Sequence, residues 1–162
     1  AGAEQLEALA YQQSEVSAWA IDERRRCRHN VNYWLFGDYL AAGAGAHGKV
    51  SGVDGVMRYR KPANPLQYML AMEEDKGADQ SERLSDDDLV FEFMLNALRL
   101  VDGFPERLFT DRTGLSTEAL TAAMRGPLEK GLVERYGEGI WRPTALGRRF
   151  LNDLQAEFLR DS

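Results

Sequence analysis

The stretch STEALTAAMRGPLEKGLVERYGEGIWRPT, from Ser116 to Thr144, decides the fold. Ser116 is placed to cap a helix running to Lys130, with Pro127 kinking or restarting it. Leu132–Arg135 and Ile140–Arg142 bracket the turn Gly137-Glu138-Gly139 and read as a β-hairpin. Thr144 opens a final helix whose core face is Leu146, Phe150, Leu151, Leu154 and Phe158. Working backwards, Pro105–Phe109 makes a short helix. Before it, Ser85 and Asp88 form a capping-box-like start. An apolar stripe of Phe91, Met94, Leu95 and Leu98 follows and stops at Gly103. Helix, helix, helix, hairpin, helix is a winged-helix-like order, expected over residues 84–162.

Residues 1–72 have a different texture. Leu6, Leu9 and Ala10 fit a helix face, and Glu15–Ala20 alternates like a strand. A helix feeding a strand is half of an α/β unit. Asp22–Arg28 is polar and loop-like. Asn30 is expected to cap a short helix through Val31, Tyr33, Trp34 and Phe36, stopped at Gly37. Tyr39–Ala42 reads as a second strand, entering the small-residue turn Gly43–Gly48. Lys49–Ser51 and Val56–Tyr59 flank Gly52–Gly55 as a hairpin, and Asn64-Pro65 opens a helix through Leu66, Tyr68, Met69 and Met72. Residues 73–83 hold no apolar side chain larger than alanine and are read as an acidic linker. The expected fold is thus α+β with an α/β portion.

Charge supports that division. Of 162 residues, 20 are basic and 26 acidic, a net of −6, and the deficit is local. Glu73–Glu92 carries nine acids and two bases, while the rest of the chain is close to neutral. Phe104–Pro143, the winged segment, has six bases against six acids, whereas a face that binds phosphates is clearly basic. A nucleic-acid partner is therefore not expected. One cysteine, Cys27, excludes a disulfide framework, a Cys-rich zinc site and an iron–sulfur cluster held by this chain alone. No apolar run suits a membrane span or signal peptide. The chain lacks a starting Met and opens inside a predicted helix, so it is read as part of a longer protein.

The sharpest chemical pattern is Cys27-Arg28-His29-Asn30-Val31-Asn32-Tyr33-Trp34. A neutral imidazole can ligate haem iron, flat aromatics suit a porphyrin face, and Arg24, Arg25, Arg26 and Arg28 can pair with propionates. The plainer alternative is a loop histidine bonded to backbone, aromatics in the core and solvated arginines, and spacing alone favours it. Gly43-Ala44-Gly45-Ala46-His47-Gly48 is a possible ligand turn, because glycine lets backbone N–H groups approach closely. A tight structural turn is the alternative. Glu92, Asn96 and Arg99 share a helix face at i, i+4 and i+7, which reads more readily as surface than as a site.

Several motifs together resemble one family. Glu15-Val-Ser-Ala-Trp-Ala20, His29-Asn-Val-Asn-Tyr-Trp34, Phe36-Gly-Asp-Tyr-Leu40 and Gly43-Ala-Gly-Ala-His-Gly48 resemble the HemW branch of the oxygen-independent coproporphyrinogen III oxidase-like proteins. These are radical S-adenosylmethionine proteins. Phe91-Glu-Phe-Met-Leu-Asn-Ala-Leu-Arg-Leu100, Arg112-Thr-Gly114, Gly131-Leu132 and Thr144-Ala-Leu-Gly-Arg-Arg-Phe-Leu-Asn152 are similar to the family's C-terminal domain. The resemblance implies the last strands and helices of a partial (β/α) barrel over 1–72, a linker over 73–83, and a HemN-type C-terminal domain over 84–162.

It also implies a function. HemW-type members are cytoplasmic haem chaperones that deliver haem to haemoproteins. Their His-Asn-x-x-Tyr-Trp motif is linked with haem and maps onto His29, Asn30, Tyr33 and Trp34, with His29 the ligand to iron. Ala41 and Ala42 stand where the family usually has Gly-Ile before the glycine-rich turn. Full-length members also hold a four-iron cluster and S-adenosylmethionine. Their Cys-x3-Cys-x2-Cys motif is absent here, so this chain alone is expected to have no radical chemistry. The alternatives are part of a true coproporphyrinogen oxidase, which performs an oxidative decarboxylation, and a winged-helix module that docks nucleic acid or protein.

Overall fold

Capping side chains (Asn64, Ser85, Ser116 and Thr144) open four of the helices in the computed structural model, which describes residues 2–74 and 80–159. In chain order the elements are α1 (Gly2–Ala8), β1 (Gln12–Glu15), β2 (Ala18–Ala20), α2 (Arg28–Trp34), β3 (His47–Gly52), β4 (Gly55–Arg60), α3 (Pro65–Glu73) and β5 (Gln80–Arg83). There follow α4 (Asp86–Ala97), β6 (Phe104–Pro105), α5 (Glu106–Thr113), α6 (Thr117–Glu129), β7 (Val133–Tyr136), β8 (Ile140–Pro143), α7 (Ala145–Arg149) and α8 (Leu151–Ala156). Every ladder between these strands is antiparallel, so the architecture is α+β. The chain divides into two units: Ala1–Phe36 with Val90–Ser162, and Gly37–Leu89.

The larger unit is built around Phe93 of α4. Its ring meets Phe104 and Phe109 edge-on at 5.0 and 5.1 Å, and Phe36 at 5.7 Å. All four are buried. Such T-shaped contacts add to the gain from burial itself. Phe36 enters this cluster with φ +54°, a left-handed backbone unusual for a bulky residue. The wing is the three-stranded sheet β6-β8-β7, in which Phe104 pairs with Trp141 and Val133 with Pro143. Gly103, at φ +75°, lets the chain turn into β6, where a Cβ would overlap the Trp141 carbonyl oxygen. Ser116 Oγ accepts from Ala119 N at 3.3 Å to start α6, and Thr144 Oγ1 accepts from Gly147 N at 3.1 Å to start α7.

Several expectations give way here. The core stripe of α4 is rotated: Phe93, Met94, Ala97 and Leu98 are buried, while Leu95 is exposed and Phe91 half-buried. Pro127 sits buried within α6, which continues to Glu129 without a restart. The last helix is two helices, because Phe150 (φ −115°, ψ 46°) breaks it, and Leu146 and Phe150 are exposed. Glu15–Ala20 is not one strand: it holds the turn and second strand of a hairpin running Gln12–Ala20, with Ser17 at φ +81°. That hairpin docks on the chain leaving α4, through Val16 N to Arg99 O at 3.0 Å and Val101 N to Ser14 O at 3.4 Å.

The smaller unit carries the antiparallel sheet β3-β4-β5. Gly52 pairs with Gly55, leaving Val53 and Asp54 as a two-residue loop, as the hairpin reading expected. Asn64 Oδ1 accepts from Leu66 N and Gln67 N at 3.0 and 3.2 Å, so α3 starts at Pro65. Ser85 and Asp88 form the reciprocal box, with Ser85 Oγ donating to Asp88 Oδ2 at 2.6 Å and accepting from Asp88 N at 3.3 Å. Tyr39–Ala42 is not a strand; Tyr39 only bridges Lys49. Of the expected linker, Gln80–Arg83 is strand β5, paired with β4 from Met57 to Arg60. All four β5 residues are exposed, so backbone ladder bonds rather than an apolar pattern hold it. Residues 75–79 lie outside the described residues.

Candidate functional site

Helix α2 places the His29–Trp34 motif in the larger unit. It begins at Arg28 after an extended Cys27, which gives no side-chain cap, so Asn30 lies inside the helix rather than capping it. A helix repeats every 3.6 residues, so His29 and Tyr33 share a face and Trp34 points elsewhere. His29 is exposed, and its imidazole meets the half-buried Tyr33 ring edge-on at 4.8 Å. Asn30 is half-buried. Trp34 turns inward, where the Arg99 guanidinium lies 4.4 Å from its ring centroid. The motif therefore presents an imidazole and a phenol outward and anchors itself with an indole.

Trp34, Val31 and Leu35 line a cavity of about 150 Å³ together with Ser14, Glu15, Arg26 and Leu100. Its polar groups are incompletely satisfied. Trp34 Nε1, Glu15 Oε2 and Arg99 Nε are buried with no hydrogen-bond partner among the described residues. Arg99 Nε stands 3.7 Å from Glu15 Oε2, and Arg99 Nη2 donates to Val16 O at 3.3 Å. Burial pushes the Glu15 carboxyl above the usual carboxylate range, while the Arg99 guanidinium pulls it down.

The arginine cluster is not uniform. Arg26 is engaged by Asp102 at 2.9 Å and Arg25 lies 3.8 Å from Asp22, so Arg26 serves as a structural link. Arg24 and Arg28 are exposed beside the motif, as is Cys27. The face expected from Glu92, Asn96 and Arg99 does not form. Helix α4 ends at Ala97, Asn96 Nδ2 donates to Glu92 O at 2.7 Å, and Arg99 turns to Trp34. Arg99 is the residue sequence reasoning missed at this site. It is 65 positions from Trp34 along the chain, beyond the reach of any spacing rule.

The glycine-rich turn belongs to the smaller unit. Gly43 and Gly45 have φ +95° and +72°, and His47 and Gly48 already belong to β3. Two of the turn's N–H groups are occupied: Gly45 N donates to Pro62 O at 2.8 Å and Ala46 N to Gly43 O at 3.3 Å. Gly48 has no room for a Cβ, because the Tyr59 ring lies over it, and Tyr59 Oη accepts from Ala41 N at 3.1 Å. His47 is exposed at the end of an open groove of about 610 Å³ lined by Arg58, Arg60, Gln80 and Glu82. There Arg58 pairs with Glu82 at 2.6 Å and Arg60 donates to Gln80 at 2.8 Å. Among the described residues no group of three or more His, Cys, Asp or Glu side chains is placed to hold a metal ion, and no helix is long and apolar enough to cross a membrane.

Comparison with known proteins adds the following. Residues 84–150 match the HemN C-terminal domain. The chain is 36% identical to the haem chaperone HemW of Haemophilus influenzae, over 99% of this chain and 40% of that protein. It is 34% identical to the Escherichia coli haem chaperone HemW, over 99% of this chain and 41% of that one. A solved structure of Escherichia coli coproporphyrinogen III oxidase (HemN), described as a radical SAM enzyme, superposes with a TM-score of 0.62 over 97% of this chain and 39% of that chain, at 16% identity. The chain thus spans about two fifths of the length of the curated relatives it matches.

Proposed function

From the premise that this is a HemW-like chain carrying a HemN C-terminal domain over residues 84–150, we propose that it belongs to a cytoplasmic haem chaperone and contributes the haem-contacting α2 face. Haem is the cargo, and haem-accepting proteins are the partners. The observation that carries this reading is the exposed His29 imidazole, set edge-on to Tyr33 on a helix whose Trp34 is anchored inward. An imidazole nitrogen is the donor type that haem iron takes, and an exposed one serves a cargo that must be given up again. Tyr33 flanks the ligand and Asn30 lies within the same helix. Arg24 and Arg28 supply positive charge for propionates, an attraction that weakens as salt rises.

The donor set does not suit an iron–sulfur cluster, because Cys27 is the only thiol. Cluster and S-adenosylmethionine chemistry would need cysteines that this chain does not carry. The likeness to the oxidase supports the fold alone. Haem titration followed by the Soret band tests the reading. His29→Ala should lose the ligated spectrum and His47→Ala should keep it. The reverse pattern would move the site to the glycine-rich turn and overturn the assignment.

A further inference from the structure

Seven residues make a helix too short to be stable by itself in water. Helix α2 is of that length, buries none of its residues and has no side-chain N-cap. Something outside it must fix the direction in which His29 points. Among the described residues, two contacts from the short stretch after α4 contribute to this. Before α2 begins, Arg26 pairs with Asp102 at 2.9 Å. At its last residue, Trp34 lies under the Arg99 guanidinium at 4.4 Å. Arg99 is itself held, by the Val16 carbonyl through Nη2 and by the Glu15 carboxylate facing its Nε. Its backbone carbonyl accepts from Val16 N, so the arginine and its holders belong to one small clamp.

We infer that Arg99 is a positioning residue for the haem-contacting face of α2, acting on His29 through the Trp34 ring, with Glu15 as its counter-ion. This rests on the haem reading for its functional consequence and on the clamp geometry for its structural one. A guanidinium over an indole is attracted by the ring quadrupole, and more so where both are partly withdrawn from water, as here. The planar fork serves three neighbours at once: the ring, the Val16 carbonyl and the Glu15 carboxylate. Lysine keeps the charge over the ring but not the fork, and leucine removes both. The cavity of about 150 Å³ beside Trp34 leaves the indole room to shift once the guanidinium is gone.

Two readouts on Arg99→Leu, Arg99→Lys and Trp34→Phe test the inference. Amide hydrogen exchange should rise about fivefold across Arg28–Trp34 in Arg99→Leu, with α6 unchanged and Arg99→Lys restoring much of the protection. Haem affinity, measured from the Soret band, should fall about fivefold in Arg99→Leu. The Arg99→Leu/Trp34→Phe double variant should lose less than the sum of the two single losses, because the two changes share the ring contact. Unchanged exchange in α2, or strictly additive losses in the double variant, would overturn the inference. A wild-type chain that takes up no haem while α2 still loosens in Arg99→Leu would overturn the haem reading and leave Arg99 a purely structural anchor.

Discussion

The winged half of the larger unit and the α2 segment that precedes it are held together in opposite ways. Around Phe93, four aromatic rings interlock with no exposed edge, and the wing's Trp141 is buried with its Nε1–H donated to Glu106 at 3.1 Å. Around α2, three polar atoms are buried without hydrogen-bond partners among the described residues, beside a cavity. The two tryptophans make the contrast concrete. Both sit beneath an arginine, at 4.8 Å for Trp141 and 4.4 Å for Trp34, yet only Trp141 also satisfies its N–H. Unsatisfied buried polar groups cost stability, and they persist in structures where another requirement outweighs that cost. The wing is held by packing, whereas α2 is held by the arginine contacts at its two ends.

The largest expected effect lies in the packed region. Phe93→Ala should cost about 3–5 kcal/mol in urea unfolding, because it empties the centre of the ring cluster. A loss below about 1 kcal/mol would show that the cluster collapses easily and would blur the contrast. Thr144→Ala removes the cap of α7 and should cost about 1 kcal/mol, with Thr144→Ser recovering most of it. His29→Ala should change unfolding stability by less than about 0.5 kcal/mol, since its side chain is exposed, even where it abolishes haem ligation. A large loss of stability there would make His29 a structural residue and break the comparison.

The smallest effect concerns Glu15. Its carboxyl in the folded chain holds its proton to higher pH than in the unfolded chain, where 4.5 is ordinary. The folded state then binds more protons, so the contribution of Glu15 to stability is greatest at low pH and declines as pH rises through the raised value. Relative to Glu15→Gln, the wild type should lose stability upward from about pH 4.5, as followed by thermal unfolding at stepped pH. Parallel pH profiles for the two proteins would show that Arg99 fully offsets the burial of Glu15.

Where local chemistry determines local structure, the sequence reads well. Ser116, Thr144, Asn64 and the Ser85/Asp88 pair all cap as their side chains suggest, and Gly137-Glu138-Gly139 turns the wing. What escapes is decided at a distance. Strand β6 is only two residues long and exists because Phe104 pairs with Trp141. Strand β5 is polar and exposed throughout, with no alternation to announce it. The β1–β2 turn is hidden because Ser17, rather than a glycine, takes the positive φ. At the candidate site, the exposed His29 and its partner Tyr33 follow from helical spacing. The inward turn of Trp34 and its arginine do not, because only the tertiary fold brings Arg99 to them.

Phe36 illustrates a conflict that selection must hold in balance. Its backbone sits where glycine is the comfortable occupant, while its side chain, 1% exposed, fills the space beside Phe93. Glycine there would relieve about 1 kcal/mol of backbone strain and forfeit about 3–5 kcal/mol of packing. A β-branched residue would keep some volume and deepen the strain. No single exchange improves both terms, so the position is a local optimum hemmed in on every side. Drift near the end of α2 is then open to an exposed position such as Asn32 and closed to Phe36 itself.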